Sequence, residues 1–486
     1  MKTHALQMGL ALLFAGQPLV AQTPLSLEEA VFSGLKNNRG LRIQRLEVDI
    51  AGAFTEIERG DFDLELFGGM NYSEEEASET DRATREQFSV SGNDWRAEVG
   101  VRRDFSTGTS VEVGVRADRS VSDRAPEQQS VRWGLSVRQN LLRGFGPGTN
   151  LAQLRQAEFA EAASIFELQG FAEALIADIE IGYWRWYAAI EALKVFEVGV
   201  QVAEEQLESV LYQIEVGNLP GNEAAAARAE LASRRQGLID ARSDVKQRAY
   251  ALSQSMDAVV DPELALDRAP SSQASAAEGF SSDPSDRIAL ALQQRPEIGE
   301  AQLQLQSDRL RLVVTKNGRL PQLDFFIDLG STGYSDTLLE AYRNSDGPSY
   351  DFTVGLTFSR AWGNRQARGR DRAARATVGQ SEEALENLRN LVRLDVLLAV
   401  NEVERTLELI DATGETRLFR EQTLAAEQGR FEVGTSTSFD VSRAQRDLIA
   451  SQLAEINALV EHQIARVALL RSEGMLLQMR GLNVRD

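Results

Sequence analysis

Apolar positions along this chain recur with two different periods, and the change between them happens in the same order twice. Leu25, Leu27, Ala30, Val31, Leu35, Leu41, Leu46 and Ile50 return near helical spacing. Ser26 with Glu29 three places on makes a capping box, so 25–58 is predicted as helix. At Asp61 the period drops to two. Phe62, Leu64 and Leu66 alternate with Asp63 and Glu65, and further on come Trp95, Ala97, Val99 and Val101. A reversal at Ser106-Thr107-Gly108 leads to Val111, Val113 and Val115, then Trp133, Leu135 and Val137. The acidic stretch from Glu74 to Gln87 predicts a polar loop, and Gly144-Phe145-Gly146-Pro147-Gly148 closes the strand region.

From 149 to 217 nothing strong breaks a helix, which predicts a rod of about 100 Å. A return helix at 222–256 and a Pro/Ser/Ala-rich linker from Asp261 to Asp283 follow. The pattern then restarts with helix 286–316 and alternating Leu323, Phe325, Ile327 and Leu329. A Gly/Ser/Asp loop at 344–349 and alternating Phe352, Val354, Leu356 and Phe358 come next, then a second unbroken helix at 365–434 and a last one at 441–480. Glu215-Val216-Gly217 even recurs as Glu432-Val433-Gly434, at an interval of 217 residues. The chain reads as a duplication. The first repeat spans 22–256 (strands 61–140, helical hairpin 149–256), a linker 257–285, and the second repeat 286–486 (strands 320–360, hairpin 365–480). Helices 222–256 and 286–316 together match one rod in length, as do 441–480 and 25–58. Each half therefore supplies a rod with two shorter helices stacked end to end beside it, a layered helical wall.

Composition narrows the function. Residues 1–21 read as a secretory leader: Lys2, an apolar run around Leu10 to Phe14, and small residues ending at Ala21. No stretch reaches the ~18 apolar residues of a transmembrane helix. The absence of cysteine excludes disulfides, thiolate metal sites and thiol nucleophiles. Once His4 leaves with the leader only His462 remains, and a lone histidine on a C-terminal helix reads as a packing or surface residue. With no phosphate-cradling glycine loop either, the chain is not expected to be an enzyme or to hold a cofactor or metal. A net charge of −21 argues against nucleic acid and suits either a well-solvated surface or a passage favouring cations. Tyr183, Trp184, Trp186 and Tyr187, at helical spacing, read as packing along the first rod.

The strands carry one more inference. Alternation without a long apolar run suits a wall between lipid and water, and a periplasmic coiled-coil scaffold would have no need of it. One chain with four to six such strands cannot close a useful barrel, and no edge can stay open in lipid, so several identical chains must assemble.

These elements, in this order, resemble the TolC-like outer-membrane efflux proteins. The resemblance rests on the paired turns, Val216-Gly217 and Val433-Gly434-Thr435 with Phe439-Asp440-Val441. It rests also on the junction Leu141-Leu142-Arg143-Gly144-Phe145-Gly146 and on Leu320-Pro321-Gln322-Leu323 before a strand. It implies a mixed α and β fold, a homotrimer whose duplicated helical hairpins form an α-barrel across the periplasm. That tunnel continues into a shared 12-stranded β-barrel in outer-membrane lipid, four strands per chain. The implied partners are a periplasmic adaptor and an inner-membrane pump, serving efflux or type I secretion. Hairpin 95–121 is extra to that pattern. By the same resemblance Asp440, with Glu223 as its counterpart, lies at the periplasmic aperture, and Asp440 also suits a helix cap. Phe431 matches an often aromatic position there. Ser436 stands where some relatives lock the mouth with arginine, and Arg443 where a second carboxylate can occur, within reach of Asp440 at i, i+3. The turns Gly217, Asn218, Leu219, Pro220 and Gly434, Thr435, Ser436, Thr437 are the expected adaptor-docking tips, with Pro220 stiffening the first.

Overall fold

The computed structural model describes residues 25–80, 82–123, 125–256 and 283–482. The predicted leader and almost all of the predicted linker lie outside these. Eight main helices and six strands are found among the described residues: α1 (Leu27–Asn37), α2 (Arg39–Gly60), α3 (Ala152–Glu215), α4 (Glu223–Ser255), α5 (Pro284–Gln294), α6 (Pro296–Asn317), α7 (Arg365–Glu432) and α8 (Ser438–Glu473). The strands are β1 (Glu65–Thr80), β2 (Gln87–Phe105), β3 (Thr109–Ser122), β4 (Ala125–Asn140), β5 (Gln322–Ser335) and β6 (Tyr350–Ser359).

The capping box forms as predicted, with the Glu29 N–H donating to Ser26 Oγ at 3.1 Å and the Ser26 N–H to Glu29 Oε2 at 3.3 Å. The long rods also form, at 64 residues for α3 and 68 for α7. The expected continuous helices 25–58 and 286–316 do not. The first breaks at Asn38 (ψ 123°) and the second at Arg295 (ψ 124°). For Arg295 the reason is Pro296, whose ring disfavours helical backbone in the residue before it. At Asn38 the side-chain amide donates to the Ser255 carbonyl at 3.1 Å. The last helix stops at Glu473 rather than 480 because Gly474 adopts φ +69°.

By contact the chain divides into two units. One comprises Gly40–Glu173, Ser282–Leu397 and Ser472–Asp486 and holds the sheet; the other comprises Met1–Arg39, Ala174–Ser281 and Leu398–Arg471 and holds the helical hairpins. In the hairpin unit Tyr183, Trp184 and Trp186 are buried, stacked edge to face at 5.5–6.1 Å, and the Tyr183 hydroxyl donates to the Leu25 carbonyl. They are packing residues.

The sheet is a six-stranded antiparallel meander in the order β1-β2-β3-β4-β5-β6. Two expectations change. The resemblance implies four strands per chain, with hairpin 95–121 extra to the pattern; here six strands share one sheet, β2 pairing with β1 and β3, and β3 with β4. Glu74–Gln87 is not all loop either, since β1 and β2 pair from Glu65↔Arg102 to Thr80↔Gln87. Acidic residues are accommodated in these strands because the backbone hydrogen-bond ladder, which needs no apolar side chain, holds the pair together. The two junction motifs named above meet each other: the Leu141 N–H donates to Leu323 O at 2.8 Å and Arg143 N–H to Pro321 O at 3.3 Å.

Candidate functional site

Directly opposed residues in antiparallel strands share a face, so the register sorts every side chain of the sheet. One face carries Leu66, Met70 and Tyr72 on β1 and Val99 and Val101 on β2. Through Val113 and Val115, Trp133 and Leu135, and Ile327 and Leu329 it continues to Phe352, Val354 and Leu356 on β6. Most of these large groups are solvent-exposed in the single chain, Met70 at 78% and Phe352 at 58%, while Val101, Val115, Leu135 and Ile327 are half-buried. An apolar face of this extent must be covered. The other face carries ions in opposed pairs: Arg102 with Glu65 (2.7 Å), Arg116 with Glu98 (3.1 Å) and Arg96 with Asp118 (2.5 Å). Arg132 reaches from β4 over Gly330 to Asp351 on β6. A groove of about 500 Å³ runs across this face, lined by Glu98, Arg102, Glu112, Arg116, Arg132 and Asp328 among others. Lipid on one side and water on the other is the environment these two faces fit. Among the described residues no helix is long and apolar enough to cross a membrane.

At the helical tips the duplication reaches individual hydrogen bonds. Gly217 (φ +82°) and Gly434 (φ +75°) end α3 and α7. Asn218 N–H bonds to Gln213 O and Gly217 N–H to Ile214 O, while Thr435 N–H bonds to Arg430 O and Gly434 N–H to Phe431 O. Both ends are Schellman motifs, which only a residue tolerant of left-handed backbone can close. The turns then differ. In the second, the Thr435 hydroxyl also donates to Arg430 O (3.1 Å) and Ser436 Oγ to Glu427 (2.7 Å), itself paired with Arg430.

Asp440 is engaged locally. Its carboxylate accepts from the Thr437 hydroxyl at 2.7 Å, and Thr437 Oγ1 accepts from the Asp440 N–H at 3.2 Å, capping α8. Hydrogen bonds from the Thr437 hydroxyl and backbone hold this carboxyl below the usual carboxylate range, with the Arg430 and Arg443 charges adding to the effect. Arg443 is exposed and acts on Asp440 through its charge; the carboxylate's hydrogen bonds are to Thr437. Glu223 is brought not to Asp440 but to Ser438, whose hydroxyl donates to it. Phe431 is 9% exposed and packs with Val210, Ala227, Val441 and Leu219, so its ring joins the two hairpins. Pro220 lies exposed in the first turn, while Val216, Val433 and Phe439 present apolar surface at the tips. Sequence reasoning missed Ser438, Glu427 and Arg446, which pairs with Glu230 at 2.9 Å. Each is distant in sequence from its partner or hidden in a polar helix.

His462 is buried, with Nδ1 3.1 Å from the Thr406 hydroxyl. Burial, then the Arg466 charge, lowers its pKa from 6.5. The unfolded chain therefore takes up the proton first. Stability is full above that value and declines as pH falls through the folded pKa. His462→Gln is expected to flatten the dependence of the unfolding midpoint on pH between 7 and 5, read by thermal melts in detergent.

Duplicated helical hairpins joined to a two-faced antiparallel sheet define a channel-type protein of the cell envelope. The chain belongs to the outer membrane efflux protein family, whose family model matches residues 106–257 and 288–474. It is 23% identical over 479 residues to the outer membrane efflux protein BepC of Brucella suis, covering 98% of this chain and 91% of that one. Among solved structures it resembles a membrane protein from Pseudomonas aeruginosa, with TM-score 0.70, 18% identity, and 92% and 93% of the two chains covered. It also resembles the CmeC outer membrane channel of Campylobacter jejuni, with TM-score 0.69, 17% identity, and 95% and 87% covered. The fold is that of TolC-like channels.

Proposed function

We propose that this protein is the outer-membrane exit duct of a tripartite efflux or type I secretion system. Three copies enclose a passage, and small molecules or polypeptide cross it passively, delivered by an inner-membrane pump through a periplasmic adaptor. The two-faced sheet carries the reading: a continuous apolar face and an ion-paired polar face fit a pore wall in lipid. The tips supply the docking surface for the adaptor, with exposed Val216, Val433 and Phe439 beside the turns 217–220 and 434–437. Purified protein is expected to run as a trimer on unheated gels and to conduct in planar bilayers. A monomer that never conducts would end this reading.

Three copies of Asp440 at a narrow mouth would concentrate negative potential, and the Thr437 hydrogen bonds keep the carboxylates charged. Asp440→Asn retains an acceptor for the Thr437 hydroxyl and loses only the charge. It is expected to lower the potassium-to-chloride permeability ratio several-fold, as is Asp440→Ala. An unchanged ratio in the Asn variant would leave Asp440 as a cap alone.

A further inference from the structure

The sheet has two strands more than the family resemblance implies, and their placement is specific. We propose that the β2–β3 hairpin is a wall segment of the pore, so that the trimer closes as an 18-stranded barrel in which β1 of each copy pairs with β6 of the next. This rests on the trimeric duct proposed above and concerns how its membrane part is built.

Four observations place the hairpin in the wall. Its strands are laddered on both sides, β2 between β1 and β3, and β3 between β2 and β4. Its two faces continue those of the other strands: Val99, Val101, Val113 and Val115 extend the apolar band, while the Arg116–Glu98 and Arg96–Asp118 pairs extend the ionic face. A hairpin lying against the outside or plugging the lumen would put one of these faces in the wrong medium.

The third observation is a row of glycines. Gly100, Gly114, Gly134 and Gly330 are opposed in turn across β2, β3, β4 and β5, all on the polar face. A Cβ at Gly100 would lie 2.6 Å from the Phe67 ring and 2.7 Å from Val113 O, and one at Gly330 would strike Arg132. Glycine at defined strand positions is a device of sheet curvature, and here one row serves the hairpin and the two strands beyond it alike. Fourth, the hairpin's turn is tied down. Asn140 N–H donates to Gly108 O, Gly146 N–H to Thr107 O, and Asn150 Nδ2 to Ser106 O at 3.1 Å.

The outer edges of β1 and β6 then decide the closure. Apolar residues run to both edges, Met70 and Tyr72 on one and Phe352 and Leu356 on the other, so unpaired backbone there would stand at hydrocarbon depth. A second copy presents the missing edge. At a strand spacing of about 4.8 Å and a tilt of about 40°, 18 strands enclose a backbone diameter of about 36 Å, against about 24 Å for 12.

The cysteine-free chain allows a direct test. Single cysteines are placed at Glu98 and Glu112, facing water, and at Val99 and Val113, facing lipid, with Ser136→Cys and Leu135→Cys on β4 as the reference pair. In conducting trimers in lipid vesicles, a charged, membrane-impermeant thiol reagent is expected to modify the first two at least about tenfold faster than the next two, matching the reference contrast. Asn71→Cys on β1, combined in turn with a cysteine at Asp351, Thr353, Gly355 or Thr357 on β6, is expected to give covalent dimers and trimers in one register after oxidation. A conducting trimer that keeps the contrast at 135/136 but loses it at 98/99 and 112/113 overturns the 18-stranded barrel and leaves the duct intact. So does a conducting trimer with no β1–β6 cross-link in any register. Absence of both trimer and conduction overturns the duct and the barrel together.

Discussion

Replacing Arg287 by leucine is expected to destabilise the sheet-bearing unit by about 3–5 kcal/mol, the cost of leaving a buried charge without its counter-ion. Arg287 is on α5 and its guanidinium bonds to Glu473, the last residue of α8; the side chains are only 12% and 4% exposed. Gly474 follows at once, and a Cβ there would lie 3.0 Å from Gln294 O and from Arg295 Cα. The ion pair therefore fastens the end of α8 to the break between α5 and α6, where two shorter helices meet end to end. Chemical denaturation in detergent measures the loss. The double variant Arg287→Leu/Glu473→Leu is expected to recover most of it, because it removes the stranded carboxylate as well. A single-variant loss below about 1 kcal/mol would mean that water reaches Glu473, since solvated pairs contribute no more than that.

Gly108→Val is expected to abolish most trimer assembly, seen as loss of the heat-sensitive band on unheated gels. Gly108 stands at φ +83°, which a β-branched residue adopts only at a cost of about 1–3 kcal/mol. A Cβ would also lie 2.3 Å from the Gly144 carbonyl oxygen, a backbone atom that cannot swing away. Making room breaks the contacts that hold the turn against residues 140–150, and with them the alignment of β3 and β4 where the chain enters α3. Gly108→Ala is expected to act in the same direction with a smaller loss, since its Cβ meets the same carbonyl without β-branching. Assembly of the valine variant at the level of the unaltered protein would show that the turn is not docked.

Local signals in the chain were legible where partners are neighbours in sequence. Ser26 and Glu29 cap α1 as their spacing predicts, and Gly217 and Gly434 end their rods in the same motif. Asp440 completes a capping box with Thr437 at the start of α8, an arrangement legible from their three-residue spacing. The break at Arg295 was readable too, from Pro296; that at Asn38 carries no such signal, and the hydrogen bond from its side-chain amide to the Ser255 carbonyl crosses the length of a repeat. The strand ends were misjudged because polar residues stop marking a face once a strand leaves the apolar zone.

What the chain dictates unaided is periodicity: which residues share a face, where rods run unbroken, and that the pattern occurs twice. Those follow from backbone geometry, which repeats every few residues and needs no partner. Register is another matter. That Arg116 meets Glu98, that four glycines align across four strands, that Ser438 finds Glu223 and that Phe431 turns inward depend on which segments pack together. A hydrogen-bond ladder can form in many registers at nearly equal energy. The choice among them belongs to the packed faces and the ion pairs, and those exist only once the chain has folded.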